Sequence, residues 1–233
     1  MSFDNNLKDR SISANHGIDY TSGNYVDGKW GEALDFNGYS DYVELSKTIY
    51  AGDGLSFSFW IKSRGAYGTQ NNGAILSKYN MTGHLRSFMI YSFGAYETRN
   101  DDRLSAAFYK SSYSASTNDH VKSYLEKSEL EIFPDPSLWT ILSPRRIVRE
   151  KWMHCVINVT ENEIQAWLNG ALCTKKKREH TLYFDIQTEP VYIGNNMSGG
   201  EGSNNHYNGA LDELRIYSRP LSAKEILVLS RNK

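Results

Sequence analysis

The chain has 233 residues, 39% hydrophobic and 23% charged, with a formal net charge of -1. That apolar content is enough to bury a sizeable core and excludes a disordered polar chain, while the balanced charge excludes a nucleic-acid surface built on bulk charge. No apolar run approaches bilayer-spanning length, so no membrane insertion is expected, and the numbered chain begins without the charged-then-apolar stretch of a secretory signal.

Period-two alternation places short strands near Ala33 to Asn37 and Tyr42 to Leu45, and again over Leu55 to Lys62. In the last of these Leu55, Phe57, Phe59 and Ile61 share one face, expected to be core. Ser56, Ser58, Trp60 and Lys62 share the other, expected to be wet and to expose an aromatic ring. Further strands are expected near Ala74 to Tyr79, Arg86 to Phe93 and Leu104 to Tyr109. Ser111 to Thr117 is polar and of low complexity, Asn118 or Asp119 can cap a short helix through about Lys127, and Phe133-Pro-Asp-Pro136 breaks the chain. This stretch reads as a surface excursion packing Leu130, Ile132, Leu138 and Trp139 over one edge, with a binding lid as the alternative.

Strands resume near Trp152 to Val159, Ile164 to Leu168 and Val191 to Gly194, with Phe57, Trp152 and Ile216 as core positions. If Glu161-Asn162 and Asn169-Gly170 turn successive hairpins, Cys155 pairs with Leu168 and Cys173 faces Ala166. The middle strand then holds the two cysteines about 9 to 10 Å apart, too far for a disulfide. Lys175-Lys-Lys-Arg178 reads as a solvated hairpin tip. Near the C-terminus a run of strand formers containing Leu211, Leu214, Ile216 and Tyr217 ends at Pro220. Ser222 then caps a helix, with Glu225 placed to complete a capping box. Many short antiparallel strands and one short C-terminal helix give an all-β, two-sheet jelly-roll sandwich.

The segment Tyr207-Asn-Gly-Ala-Leu-Asp-Glu-Leu-Arg-Ile-Tyr-Ser-Arg-Pro-Leu-Ser-Ala-Lys-Glu-Ile226 closely resembles the C-terminal signature of laminin-G-like domains of the concanavalin A-like superfamily. Similar blocks follow the family's order: Phe3-Asp-Asn-Asn6 with Asp9 and Asn15-His-Gly17, then Gly31-Glu-Ala-Leu-Asp-Phe-Asn-Gly38 with Asp41-Tyr-Val43. Leu55-Ser-Phe-Ser-Phe-Trp-Ile-Lys62, Trp152-Met-His-Cys-Val156, Ile164-Gln-Ala-Trp-Leu-Asn-Gly170 and Val191-Tyr-Ile-Gly-Asn195 complete the set. The resemblance implies that residues 1–233 form a single concanavalin A-like domain. It lapses between about 95 and 149, which is expected to be an irregular insertion.

Sugar-cleaving members of the superfamily carry a Glu-x-Asp-x-x-Glu run whose carboxylates flank the scissile bond. The chain has no such run, and Glu129-Leu-Glu131 lies in the irregular stretch beside Pro134. It also lacks a Gly-x-Ser-x-Gly elbow, a His-Glu-x-x-His helix and a phosphate loop, and His154 on a packed strand is expected to be structural. The expectation is therefore that the protein is not an enzyme.

Resemblance also implies a structural calcium tying the opening and closing strands, with Asp4, Asn6 and Asp212 as side-chain ligands and Gly38 giving a carbonyl. Asn5 stands where the family usually has Gly, and Asn37 where it often has Asp. The alternative is that Asp4 and Asp212 cap turns and strand ends.

Sugars stack apolar faces on aromatic rings and give hydroxyls to amides and carboxylates. Trp60 and Trp167 share outward parity, and Tyr67, Asn71, Tyr96, Asp101, Asn205 and Tyr207 lie in turn-rich loops, so these eight residues form the expected ligand set. The expected function is a non-catalytic carbohydrate-binding or adhesion module with a glycan or cell-surface polysaccharide as partner. The alternative is a structural or decorating protein of a virion or appendage that binds other virion or surface proteins. Either implies an extracellular, cell-surface or virion location and no nucleic-acid partner.

Overall fold

The computed structural model describes residues 1–45, 49, 54–65, 72–80, 85–93, 102–109, 138–177, 190–196 and 205–231. In chain order the strands are β1 (Gly17–Tyr20), β2 (Tyr25–Asp27), β3 (Glu32–Asn37), β4 (Tyr42–Leu45), β5 (Leu55–Ser63), β6 (Asn72–Asn80) and β7 (Leu85–Phe93). There follow β8 (Arg103–Tyr109), β9 (Leu138–Arg146), β10 (Met153–Val159), β11 (Glu163–Leu168), β12 (Ala171–Lys177), β13 (Val191–Ile193) and β14 (Asn208–Tyr217), then the helix α1 (Ala223–Leu229).

These strands build two antiparallel seven-stranded sheets, in the orders β1-β4-β13-β6-β7-β8-β9 and β12-β11-β10-β5-β14-β3-β2. Their inner faces share one core, in which Val43, Ile75, Phe88, Ile90 and Phe108 of the first sheet meet Phe36, Phe57, Phe59, Ile61 and Ile157 of the second. Phe57 and Phe88 touch across the sandwich with ring centroids 4.8 Å apart. The architecture is the all-β sandwich expected from the alternation, and Leu55, Phe57, Phe59 and Ile61 are all fully buried.

Hairpin chemistry set the register correctly around Cys155. Asn169 and Gly170 both take positive φ, 50° and 78°, as a two-residue turn of this hand requires. Cys155 pairs with Leu168. On the far side of β11, a register shift between Ala166 and Trp167 gives Thr174, not Cys173, as the partner of Ala166. Both cysteines are free, and burial raises the Cys155 thiol far above its ordinary value.

Several expectations need correction. Residues 138–146 are not loose packing over an edge: β9 pairs with β8 and forms one margin of the first sheet. Its Pro144 hid it, since proline is tolerated in strands only at such margins. Lys175 to Lys177 lie not at a hairpin tip but on β12, an outer strand of the second sheet, where lysines discourage pairing with another chain. Trp152 is half-buried just ahead of β10, and Ile216 packs against the core from a partly buried position. The helix expected from residues 118–127, with Leu130 and Ile132, lies outside the described residues.

The outer face of the second sheet is not wet. Ser56, Ser58 and Trp60 are at most 4% exposed. Two covers account for this: the 28–31 turn lies over Trp60, and α1 with the segment leading into it folds back over the face around Val156. Leu221 and Ile226 bury against Val156, with Trp167, Tyr217 and Leu229 packed around them. Ser222 caps α1 and Glu225 closes the capping box. Beneath them Asn158 ties sheet to latch: its Oδ1 accepts from Ser56 Oγ at 2.6 Å and from the Leu221 N–H at 2.9 Å, and its Nδ2 donates to the Leu221 carbonyl at 3.0 Å.

Candidate ligand-binding site

The four members of the expected ligand set among the described residues do not form an open binding face. Trp60 is closed over by the 28–31 turn: the Trp30 ring meets it edge-on at 5.3 Å and Lys29 Nζ stands 4.4 Å from its centroid. Trp167 lies under α1, its indole N–H donating to Gln165 Oε1 at 3.0 Å. Tyr207, 1% exposed, is a core residue set edge-on to Phe36. Asn205 is half-buried, and its carbonyl accepts from the Ala74 N–H at 2.8 Å. Tyr67, Asn71, Tyr96 and Asp101 lie outside the described residues.

The four donors named for calcium do not converge either. Asp212 Oδ2 accepts from the Lys29 and Trp30 N–H groups at 2.9 and 3.2 Å, and its Oδ1 from the Glu213 N–H at 2.7 Å. Burial, partly offset by these bonds, raises its carboxyl to about 6. Asp4 Oδ1 holds the other side of the same turn through the Glu32 N–H at 3.1 Å. Gly31, at φ +71, is needed there, because a side chain would strike the Asp4 carboxylate. Asn6 Nδ2 donates back to the Asp4 carbonyl. Gly38 lies past the opposite end of β3, roughly 20 Å away along the strand. The set does not fit a single ion, and among the described residues no group of three or more His, Cys, Asp or Glu could hold one. We expect excess chelator to leave the melting temperature unchanged. A lowered melting temperature, with metal found by elemental analysis, would restore calcium through other ligands.

His154 accounts for the only Ser-His contact of interest among the described residues. Its Nε2 lies 2.9 Å from Ser58 Oγ, but both residues are at most 1% exposed and Nδ1 meets no carboxylate. Burial and the nearby Arg215 lower the imidazole to about 3, so it is neutral at physiological pH. A nucleophile needs access to substrate and an oriented base, and this pair has neither.

Sequence reasoning overlooked the outer face of the first sheet beside β1. Val43 and Leu45 point into the core, so Tyr42 and Glu44 point out, and Tyr192 on β13 does the same between Val191 and Ile193. Tyr20 pairs with Tyr42 across β1 and β4, and the rings stack at 4.6 Å with planes 11° apart. Tyr192 meets the other side of Tyr42 edge-on at 6.2 Å. Tyr42 is thereby wedged between two rings. Tyr20, 47% exposed on a marginal strand, keeps its far side for solvent. Glu44 sits between Ile18 and Tyr192 in register. Each strand contributes a single outward tyrosine, so the patch emerges only from the strand order. The alternating Tyr-Val-Glu-Leu of β4 was its one sequence signal.

A separate cleft of about 950 Å³ opens between the N-terminal segment and β14, lined by Asp9, Arg10, Asn15, Arg215 and Tyr217 among others. Two of its charged groups are already in use. Asp9 accepts from the Ser11 and Asn15 N–H groups, both at 2.9 Å, and Arg215 pairs with Glu213. The tyrosine edge is the better candidate because it joins rings to a carboxylate with no ion-pair partner among the described residues.

This fold is that of a concanavalin A-like sandwich. The laminin-G model of the concanavalin A-like lectin/glucanases superfamily matches residues 37–227, most of the chain, and the chain belongs to that family. Usherin of Rattus norvegicus is 28% identical over 95 residues, covering 38% of this chain and 2% of that protein. The chain therefore spans only a small fraction of its curated relative. Among solved structures, domain 4 of AbnA, a GH43 extracellular arabinanase from Geobacillus stearothermophilus, in complex with arabinotriose, is 18% identical. It covers 99% of this chain and 96% of that one, with a TM-score of 0.66. The CBM40 of the Ruminococcus gnavus IT-sialidase, bound to α2,3-sialyllactose, is 14% identical over 85% of this chain and 96% of its own, with a TM-score of 0.60. At these identities the likeness shows the fold alone.

Proposed function

We propose that the protein is a non-catalytic carbohydrate-binding module acting outside the cell or at its surface, and that it takes its glycan on the tyrosine edge of the first sheet. The observation that carries this reading is the stacked Tyr20–Tyr42 pair, half open to solvent beside Glu44. It offers the two things a sugar needs, a flat apolar face for C–H groups and polar atoms for hydroxyls. Family membership supports it, as do the oligosaccharides bound by the two bacterial neighbours. Fold by itself never fixes function. The site-based test is a glycan array probed with the wild-type protein and with Tyr20→Ala. Wild-type signals that fade in the variant are expected. A blank array for the wild type would overturn the reading and move the fold's role to protein–protein contact, as in a virion or appendage component.

A further inference from the structure

We propose that the tyrosine edge selects neutral oligosaccharides, with the Glu44 carboxylate as acceptor for their hydroxyls and as the group that turns acidic sugars away. This rests on the reading of the edge as the glycan surface. Glu44 is half-buried and points outward, and its neighbours across the strands are Ile18 and Tyr192. Tyr42 precedes it by two residues on the same strand and face. No side chain in this group carries a positive charge. Among the described residues Glu44 makes no hydrogen bond or ion pair that would occupy it. The other carboxylate of the edge, Asp19, has opposite parity and accepts from the Thr21 N–H and hydroxyl at 2.8 and 2.7 Å.

An ionised carboxylate only accepts hydrogen bonds, and its paired oxygens suit adjacent sugar hydroxyls, which donate. Such charge-assisted bonds are about twice as strong as neutral ones. A sugar carboxylate or sulfate placed on the same rings would bring a second negative charge beside the first, with no cation among the described neighbours of Glu44 named above to offset it. The raised hydroxyl of Tyr42, shifted first by burial and then by Tyr20 and Glu44, agrees with a negative charge close to that ring.

The test is an array carrying matched glycans, lactose beside α2,3-sialyllactose and arabinotriose beside uronic-acid trimers, probed with wild type, Glu44→Gln and Tyr20→Ala, each first checked for an unchanged melting temperature. Neutral members are expected to bind the wild type at least tenfold better than their acidic counterparts. Glu44→Gln should weaken neutral binding by about tenfold and narrow that ratio. Equal or stronger binding of the acidic members, or a Glu44→Gln protein that binds neutral glycans as the wild type does, would overturn this inference while Tyr20→Ala still abolished binding. If Tyr20→Ala left every signal intact, the site itself would be misplaced; a blank array overturns both.

Discussion

Phe57→Ala is expected to lower the unfolding free energy by about 3 to 5 kcal/mol. Phe57 is the third residue of β5, fully buried, with Phe88 of the opposite sheet 4.8 Å away. Removing the ring leaves a cavity walled by both sheets, and a backbone held by ladders on either side of β5 has little freedom to collapse into it. Denaturant titration measures the loss directly. A change below about 1 kcal/mol would mean that the two sheets do not meet at this position.

Asn158→Ala is expected to cost about 2 to 3 kcal/mol although no apolar packing is removed. Asn158 is 2% exposed, and its amide serves Ser56, Gln165 and both backbone groups of Leu221. Without it the Leu221 carbonyl is left buried and unpaired, and the latch that delivers Leu221 and Ile226 onto Val156 loosens. Hydrogen exchange should then rise in α1 and at Leu221 before it rises in the core strands. A variant with wild-type stability and an unchanged exchange pattern would show that the latch holds by apolar contact alone.

The inward half of the sandwich was legible because alternation alone decides it: Leu55, Phe57, Phe59 and Ile61 could only point one way together. The capping box at Ser222 and Glu225 was equally plain, since it is a local hydrogen-bond pattern. The outward half was misread because parity tells which side a residue faces, not what covers that side. Trp60 and Trp167 have the outward parity assigned to them, yet the 28–31 turn covers one and α1 the other, through contacts distant in sequence. A hint lay in β10, where Met153 to Val159 are all buried and where an outward Val156 is out of place on a wet face. Asp4 and Asp212 were singled out as calcium ligands or as caps, and both carboxylates accept from backbone N–H groups of one turn, Asp212 from Lys29 and Trp30 and Asp4 from Glu32, which suits the capping alternative. The tyrosine edge stayed hidden because β1 has no strong alternation and its rings meet only once β4 lies between β1 and β13.

The most direct test of where the ligand binds compares Tyr20→Ala and Trp167→Ala, measuring for each its melting temperature and its affinity by calorimetry for one oligosaccharide chosen from the array. Tyr20 is half exposed and anchors no core, so its loss should weaken binding by about thirtyfold, on the order of 2 kcal/mol, and leave the melting temperature unchanged. Trp167 is packed under the helix, so its loss should lower the melting temperature and leave the affinity unchanged. The reverse pattern, affinity lost at Trp167 and kept at Tyr20, would contradict the account and return the binding surface to the second sheet.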